Sequence, residues 1–245
     1  MPLANGKSLQ KKRRFFWEGA LLAAVVAGGA VILCLRLFIF QPFSVSSSSM
    51  APTLLAGDLL VLSKISYGFD RYSLPFAMGP IDKRIPAGWR PQRGDVVVFR
   101  APGKNAVDFL KRIVGLPGER VQMTGGALAI NEVPVRRERV GGYALDGDAG
   151  EQHATLYRET LPNGVTYLTL ALRDGGFYAN TPRYTVPAGH YFVLGDNRDN
   201  SVDSRSQNDV GYVPSENIIG RVQIIYFSSS HRTGVRWDRL FRVIR

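Results

Sequence analysis

Ser47, Ser49, Lys111 and a dense polar run from Gly195 to Arg205 are the residues of this 245-residue chain that could do chemistry together. Ser46 to Ser49 are all serine, and Met50-Ala51-Pro52-Thr53-Leu54 and then Gly57-Asp58 follow them. Taken alone, such a run reads as a polar tether. A serine hydroxyl becomes a nucleophile only beside a base, so the question is which base the chain offers. The histidines, His153, His190 and His231, lack a catalytic context: there is no G-x-S-x-G elbow and no H-E-x-x-H zinc pattern. His190 follows Pro-Ala-Gly and reads as a turn or strand-edge residue. The single cysteine, Cys34, lies in an apolar run that opposes thiolate formation, which removes thiol chemistry and any intrachain disulfide.

Lysine is the alternative base. The segment Val107-Asp108-Phe109-Leu110-Lys111-Arg112-Ile113-Val114 ends at Gly115-Leu116-Pro117-Gly118. As a strand, its alternation puts Val107, Phe109, Lys111 and Ile113 on one face. Among bulky apolar neighbours an ammonium is desolvated, its pKa falls, and the neutral amine can take a proton from a serine. An edge-strand lysine reaching water is the competing reading. Arg112 points the other way, cannot be neutralised, and needs an acidic partner or solvent. The run Gly195 to Arg205 follows an apolar strand and reads as a hydrogen-bonded loop at a site. A calcium loop fits less well, because Arg198 falls on a ligand position of that pattern. In this loop Asp203 is an expected partner for a buried arginine such as Arg112, and Ser201 for an amine.

Elements must hold these residues in place, and the first is apolar. Gly19 to Leu35 carries no charge, Arg36 interrupts, and Leu37 to Phe40 continues the run, with Phe15, Phe16 and Trp17 ahead of it. Spanning a bilayer takes about 20 residues, so 17–40 is read as a transmembrane anchor and 1–16 as a basic cytoplasmic tail. A cleavable signal peptide has a shorter apolar core, of about 7–15 residues, and a small-x-small site that is missing before Leu35. The formal charge is +11, and residues 1–40 account for +5 of it, leaving +6 for 41–245. That balance suits an anionic membrane surface or a nucleic acid, and charge does not choose between them. After Phe43, short runs rich in Val, Ile, Tyr and Phe recur at Leu59–Leu62, Asp95–Arg100, Phe109–Val114, Tyr167–Leu172, Tyr191–Leu194 and Ile218–Phe227. They predict a mostly β domain, with the Gly- and charge-rich stretch 125–187 inserted between 41–124 and 188–245.

In this order, the segments resemble bacterial type I signal peptidase. Its serine box S-x-S-M-x-P-T-L-x-x-G-D is matched by Ser47 to Asp58, and its G-D-x-V-V-F box by Gly94 to Phe99. Lys111 to Gly118 match its lysine box, and Gly195 to Arg205 match G-D-N-R-D-N-S-x-D-S-R in full. The resemblance implies a mainly β fold: a coiled antiparallel β-sheet catalytic domain with an inserted β-rich cap, preceded by one N-terminal transmembrane helix. It implies Ser49 as nucleophile and Lys111 as general base, with the Ser49 N–H and the Ser47 hydroxyl as oxyanion hole. It also implies Ser201, Asp203, Arg205 and Arg112 as support, and Phe43, Val45, Met50, Leu54, Phe109 and Leu110 as lining for two substrate pockets. The implied activity removes signal peptides with small residues before the cut, at the outer (periplasmic) face of the bacterial inner membrane, with the N-terminus cytoplasmic. The bilayer and the secretion translocon are the further partners; no cofactor, metal or nucleic acid is expected.

Two departures stand out. The proline that the family commonly carries directly ahead of the first serine is Ser46, and Ser206 to Pro214 replace its usual aromatic-glycine continuation. They keep a specialised processing protease for one dedicated substrate open, beside a catalytically silent membrane-tethered binding module. A self-cleaving repressor would need a DNA-binding domain where the anchor lies.

Overall fold

The computed structural model describes residues 5–68, 89–102, 107–147, 150–172, 175–230 and 232–244; of 5–15, 34, 35, 37, 38, 146, 147, 150 and 151 it describes the backbone alone. The side chains of Cys34 and the Lys11–Arg14 cluster, and all of His231, therefore lie outside the described residues.

Helix α1 runs unbroken over Asn5–Phe38. Its stretch Phe16–Leu33 has a mean hydropathy of 1.9, none of it buried against the rest of the chain, and is long and apolar enough to cross a membrane. The helix begins well inside the predicted basic tail, whose Lys, Arg and Gln are good helix formers. It also stops before the predicted end at residue 40. Phe40 is instead the first residue of a strand, captured by pairing with Ser63, while Lys64 N–H donates to Ile39 O.

The rest is almost wholly antiparallel β. In chain order the strands are β1 Phe40–Ser44, β2 Asp58–Ser63, β3 Val96–Arg100, β4 Asp108–Gly115, β5 Arg120–Thr124, β6 Ala127–Ile130, β7 Val133–Pro134 and β8 Arg136–Gly147. They continue with β9 Gly150–Thr160, β10 Thr166–Ala171, β11 Tyr184–Thr185, β12 His190–Leu194, β13 Val213–Pro214, β14 Ile218–Ser230, β15 Gly234–Val235 and β16 Arg242–Val243. The main sheet has the order β1-β2-β14-β3-β4-β12-β13, with β15 and β16 added to β14. All the strands predicted from the apolar runs are present, five of them within a residue of their expected bounds, while β14 runs three residues past the expected Phe227.

Both faces of this sheet are covered, which is why its central strands read as continuous apolar runs rather than alternating ones. Val96, Val98 and Leu110 pack on one face with Met50, Leu54, Leu60 and Val222. Val97, Phe99 and Ile113 pack on the other with Tyr191, Val193 and Val213. Residues 120–185 build a second layer: a four-stranded sheet β11-β5-β6-β7 and a three-stranded sheet β10-β9-β8. This layer is stitched to the late polar loop, because Leu170 N–H donates to Asp196 O at 2.8 Å and Arg198 N–H to Leu170 O at 2.9 Å. The β-rich insertion thus reaches the same loop that carries the candidate site residues.

Candidate active site

Ser49 sits at the start of a tight turn between β1 and β2. Val45 and Asp58 close the neck of that turn (Val45 N–H to Asp58 O, 2.9 Å; Gly57 N–H to Val45 O, 2.9 Å), and Leu54 N–H donates to Met50 O at 2.9 Å. Such local bonds fix the backbone of a segment that has no partner strand. Asp58 is buried, receives Leu55 N–H at 2.8 Å, and is held by Arg239 (Nη2 to Oδ2, 2.5 Å) and by the Ser228 hydroxyl at 2.6 Å. The serine turn is therefore built on residues from both ends of the domain.

Lys111 lies on β4, between β3 and β12, and is 3% exposed. Its Nζ is 2.7 Å from Ser49 Oγ and 3.0 Å from Leu110 O. The Phe109 ring lies 5.6 Å from the same nitrogen. Burial lowers the amine pKa from 10.5 to about 8; the nearby carboxylates of Asp203 and Asp196 work against that fall without cancelling it. The strand alternation predicted this desolvation from Phe109 and Ile113, and both flank the lysine on β4. Val107, the fourth member of the predicted row, lies outside β4 and is exposed, so it adds nothing to the burial. Ser47 Oγ is 3.2 Å from Ser49 Oγ, which brings a second hydroxyl to the same point.

Arg112 points to the opposite side of the strand, as alternation requires, but its partner is Asp196 and not Asp203. Nε donates to Asp196 Oδ1 at 2.9 Å, Nη2 to Oδ2 at 2.8 Å, and Nη1 to Gly94 O at 2.7 Å. The register explains the choice: Leu194 pairs with Arg112 across β4 and β12, which delivers Asp196 two residues later. Burial opposes the charge of Arg112, but Asp196 more than offsets it and raises the guanidinium pKa. Asp203 folds back on its own loop, receiving Arg205 Nε and Nη2 at 2.8 Å each and Gly195 N–H at 3.0 Å. Burial pushes that carboxyl pKa upward, and Arg205 with these hydrogen bonds overcomes it, leaving it below its ordinary value.

The expected role of Ser201 also changes. Its hydroxyl donates to Asp203 Oδ2 at 2.7 Å, while the Lys111 amine is taken by Ser49 and Leu110. Ser201 and Asp203 thus belong to one unit whose negative end acts on the lysine through space.

A cleft of about 460 Å³ opens over the pair, lined by Phe43, Val45, Ser46, Ser47, Ser49, Phe109, Leu110, Lys111 and the loop residues Asp199 to Val202, among others. Four of the six predicted pocket residues, Phe43, Val45, Phe109 and Leu110, are in this lining. Met50 and Leu54 are not; both are fully buried in the core beneath. The turn after Ser49 sends them inward, which apolar character alone could not reveal. Ser46 faces the cleft, whereas 206–213 does not line it. That segment folds as a turn around Ser206 O, which accepts from Val210 and Gly211 N–H, and buries Val210 in the core.

Other functional positions carried a weaker signal. Asn197 N–H donates to Ser49 O at 3.0 Å, its side chain to Ser48 O at 3.2 Å, and Asn200 Nδ2 to Ser48 Oγ at 2.8 Å. Thr53 Oγ1 donates to Asp196 Oδ2 at 2.5 Å. Together these clamp the serine turn onto the late loop. Gly195 is there for room: a Cβ would come within 2.3 Å of Ser201 Oγ and 2.6 Å of Ser49 O. Neither described histidine lies in the cleft; the His190 ring is 2.9 Å from Ala188 O at the strand edge.

Comparison with known proteins shows the family of the chain. The family described as "Signal peptidase, peptidase S26" matches residues 17–227. The chain is 41% identical over 206 residues to signal peptidase I of Rickettsia typhi, covering 81% of this chain and 76% of that protein. It is 39% identical over 246 residues to signal peptidase I of Rickettsia akari, covering 97% and 87%. A crystal structure of a signal peptidase I from Enterococcus faecalis V583 aligns with a TM-score of 0.33 at 30% identity, over 54% of this chain and 96% of that one.

Proposed function

The chain belongs to the signal peptidase family S26 and is a serine endopeptidase that removes signal peptides; from that premise we propose that Ser49 is its nucleophile and Lys111 its general base. The observation that carries the reading is the 2.7 Å contact between Lys111 Nζ and Ser49 Oγ, with burial lowering the amine pKa to about 8. A neutral amine takes the Ser49 proton as Oγ attacks the scissile carbonyl. The tetrahedral oxyanion is received by the Ser49 N–H and the Ser47 hydroxyl, donors each worth about 10²–10³ in rate. Lys111 returns the proton to the leaving amine, and the acyl-enzyme forms on Ser49. The same amine then activates the water that releases the peptide.

Substrate enters extended, between the Phe43–Ser47 side of the cleft and the Asp108–Lys111 side. Phe43, Val45, Phe109 and Leu110 shape the pockets that admit small side chains, since bulky walls leave little room. Ser201, Asp203 and Arg205 fix the field around the lysine, and Arg112 with Asp196 fixes the strand on which it stands. The α1 helix anchors the enzyme in the bacterial inner membrane with the basic end cytoplasmic and the catalytic domain on the outer face. Bilayer and translocon are its partners there.

The test is a pH–rate profile on an Ala-x-Ala peptide. The value of kcat/KM is expected to rise tenfold per pH unit and level off above about 8 in the wild type. Ser49→Ala and Lys111→Ala should each lose the reaction. Normal turnover by either variant, or a flat acid limb, would sink the assignment.

A further inference from the structure

A second cavity, of about 110 Å³, shares Asp199 with the cleft over Ser49 and lies where the inserted layer meets the late loop. Its walls come from three places: Arg137 and Tyr157 on β8 and β9, Tyr178 in the segment before β11, and Arg198 and Arg205 in the late loop. Three guanidinium groups around so small a space are costly unless their charges and their donors are met.

Two of the three have a dedicated carboxylate. Glu159, wholly buried, accepts from Arg198 Nη2 and, at 2.8 Å, from the Tyr167 hydroxyl. Asp203 is taken by Arg205 and Ser201. Arg137 is left with Glu159 Oε1 at 3.8 Å from its Nε, too long for a hydrogen bond. Among the described residues, Arg137 Nε and Arg198 Nε and Nη1 are buried without a hydrogen-bond partner, and the Arg198 side chain is only 3% exposed. Burial lowers the Arg137 pKa, a fall that Glu159 works against and Arg198 deepens. Tyr157 lies 3.5 Å from Arg137 Cζ, and Tyr178 lies 5.0 Å from Arg205 Cζ. A ring covers only the face of a guanidinium, whose N–H groups point outward in its plane and stay available. Asp199, the one acid on the described wall, accepts Leu172 N–H on Oδ2 at 2.8 Å.

The donors left over all belong to cations, so their complement is a charged acceptor. Water would accept from them without neutralising them. Space for three or four waters, at about 30 Å³ each, also suits one small oxyanion and is too tight for a nucleotide or a peptide. We propose that Arg137, Arg198 and Arg205 form a binding site for a tetrahedral oxyanion, inorganic phosphate or sulfate, held between the inserted layer and the late loop. The ion ties these two parts together beside the substrate cleft, and the site stands whether or not Ser49 and Lys111 do the chemistry.

The test is titration of the full chain with sodium phosphate near neutral pH, at constant ionic strength made up with chloride. Binding should saturate, with a dissociation constant of about 10 mM or tighter. Arg137→Gln should weaken it at least about tenfold. The unfolding midpoint of the parent should also rise more with phosphate than that of the variant, a comparison that removes the general stabilisation phosphate gives to any protein. No saturable binding by the parent, or equal affinity in parent and variant, overturns the site; donors satisfied by water alone give the first of these results. Selenate soaked into crystals of the parent reads the same site without substitution. An anomalous peak between Arg137, Arg198 and Arg205 supports it, and peaks elsewhere only overturn it.

Discussion

Lys111 and Arg112 are consecutive residues on β4, both are buried, and they solve burial in opposite ways. On one side of the strand Arg112 meets Asp196 through two hydrogen bonds, a backbone carbonyl through a third, and the Tyr167 ring at 4.3 Å. On the other side Lys111 has a hydroxyl and a carbonyl, with the Asp203 carboxylate already held by Arg205, Ser201 and Gly195. A buried cation with a dedicated carboxylate keeps its proton and becomes structure. One denied such a carboxylate gives its proton up easily and becomes a base. The site is made by withholding a partner from the lysine as much as by supplying one to the arginine.

The sharpest way to break this contrast is to make both sides alike. Lys111→Arg places a group that cannot release its proton beside Ser49, and peptide cleavage should fall by at least about 10⁴-fold at every pH below 10. Activity recovering at high pH would show that the contrast does not govern the chemistry.

Removing the partner on the other side is the next largest effect. Asp196→Asn leaves the Arg112 charge buried without a counter-charge and should cost about 3–5 kcal/mol, measured by denaturant unfolding. The paired change Arg112→Met with Asp196→Leu should recover most of that stability, because an apolar pair of similar volume removes the desolvation cost. A double variant as unstable as the single one would mean that the pair does more than neutralise itself.

The smallest effect is a slope. With the lysine pKa at about 8 in the fold and 10.5 in the unfolded chain, the unfolded chain binds more protons between those values. The cost of burying the amine is full below pH 8 and vanishes above 10.5, so stability should rise across that window by about 3 kcal/mol. Lys111→Met should lack this rise and be the more stable protein near pH 7, although inactive. Parallel stability curves for the two would place the lysine pKa near its ordinary value.

Much of this was legible in the residues. Apolar runs located the strands, and alternation in 107–114 predicted that the lysine and arginine would face opposite ways with only the lysine neutral. What the sequence hid is what depends on registry between distant strands. That Asp196 rather than Asp203 meets Arg112 follows from the pairing of Leu194 with Arg112, which no local pattern encodes. That Met50 and Leu54 turn inward follows from a turn closed by Asp58 and Arg239. The clamping roles of Asn197 and Asn200 were hidden for the same reason: a polar loop shows donors and acceptors, but not which backbone they reach.

The Arg239–Asp58 pair joins residues 181 apart in sequence. Asp58 closes the turn that presents Ser49, the proposed nucleophile, so one of the contacts that hold this turn comes from residue 239. The late loop that clamps the same turn is made after most of the chain as well. A growing chain therefore holds its serine and its lysine long before the residues that clamp the serine turn from the far end of the sequence have been made.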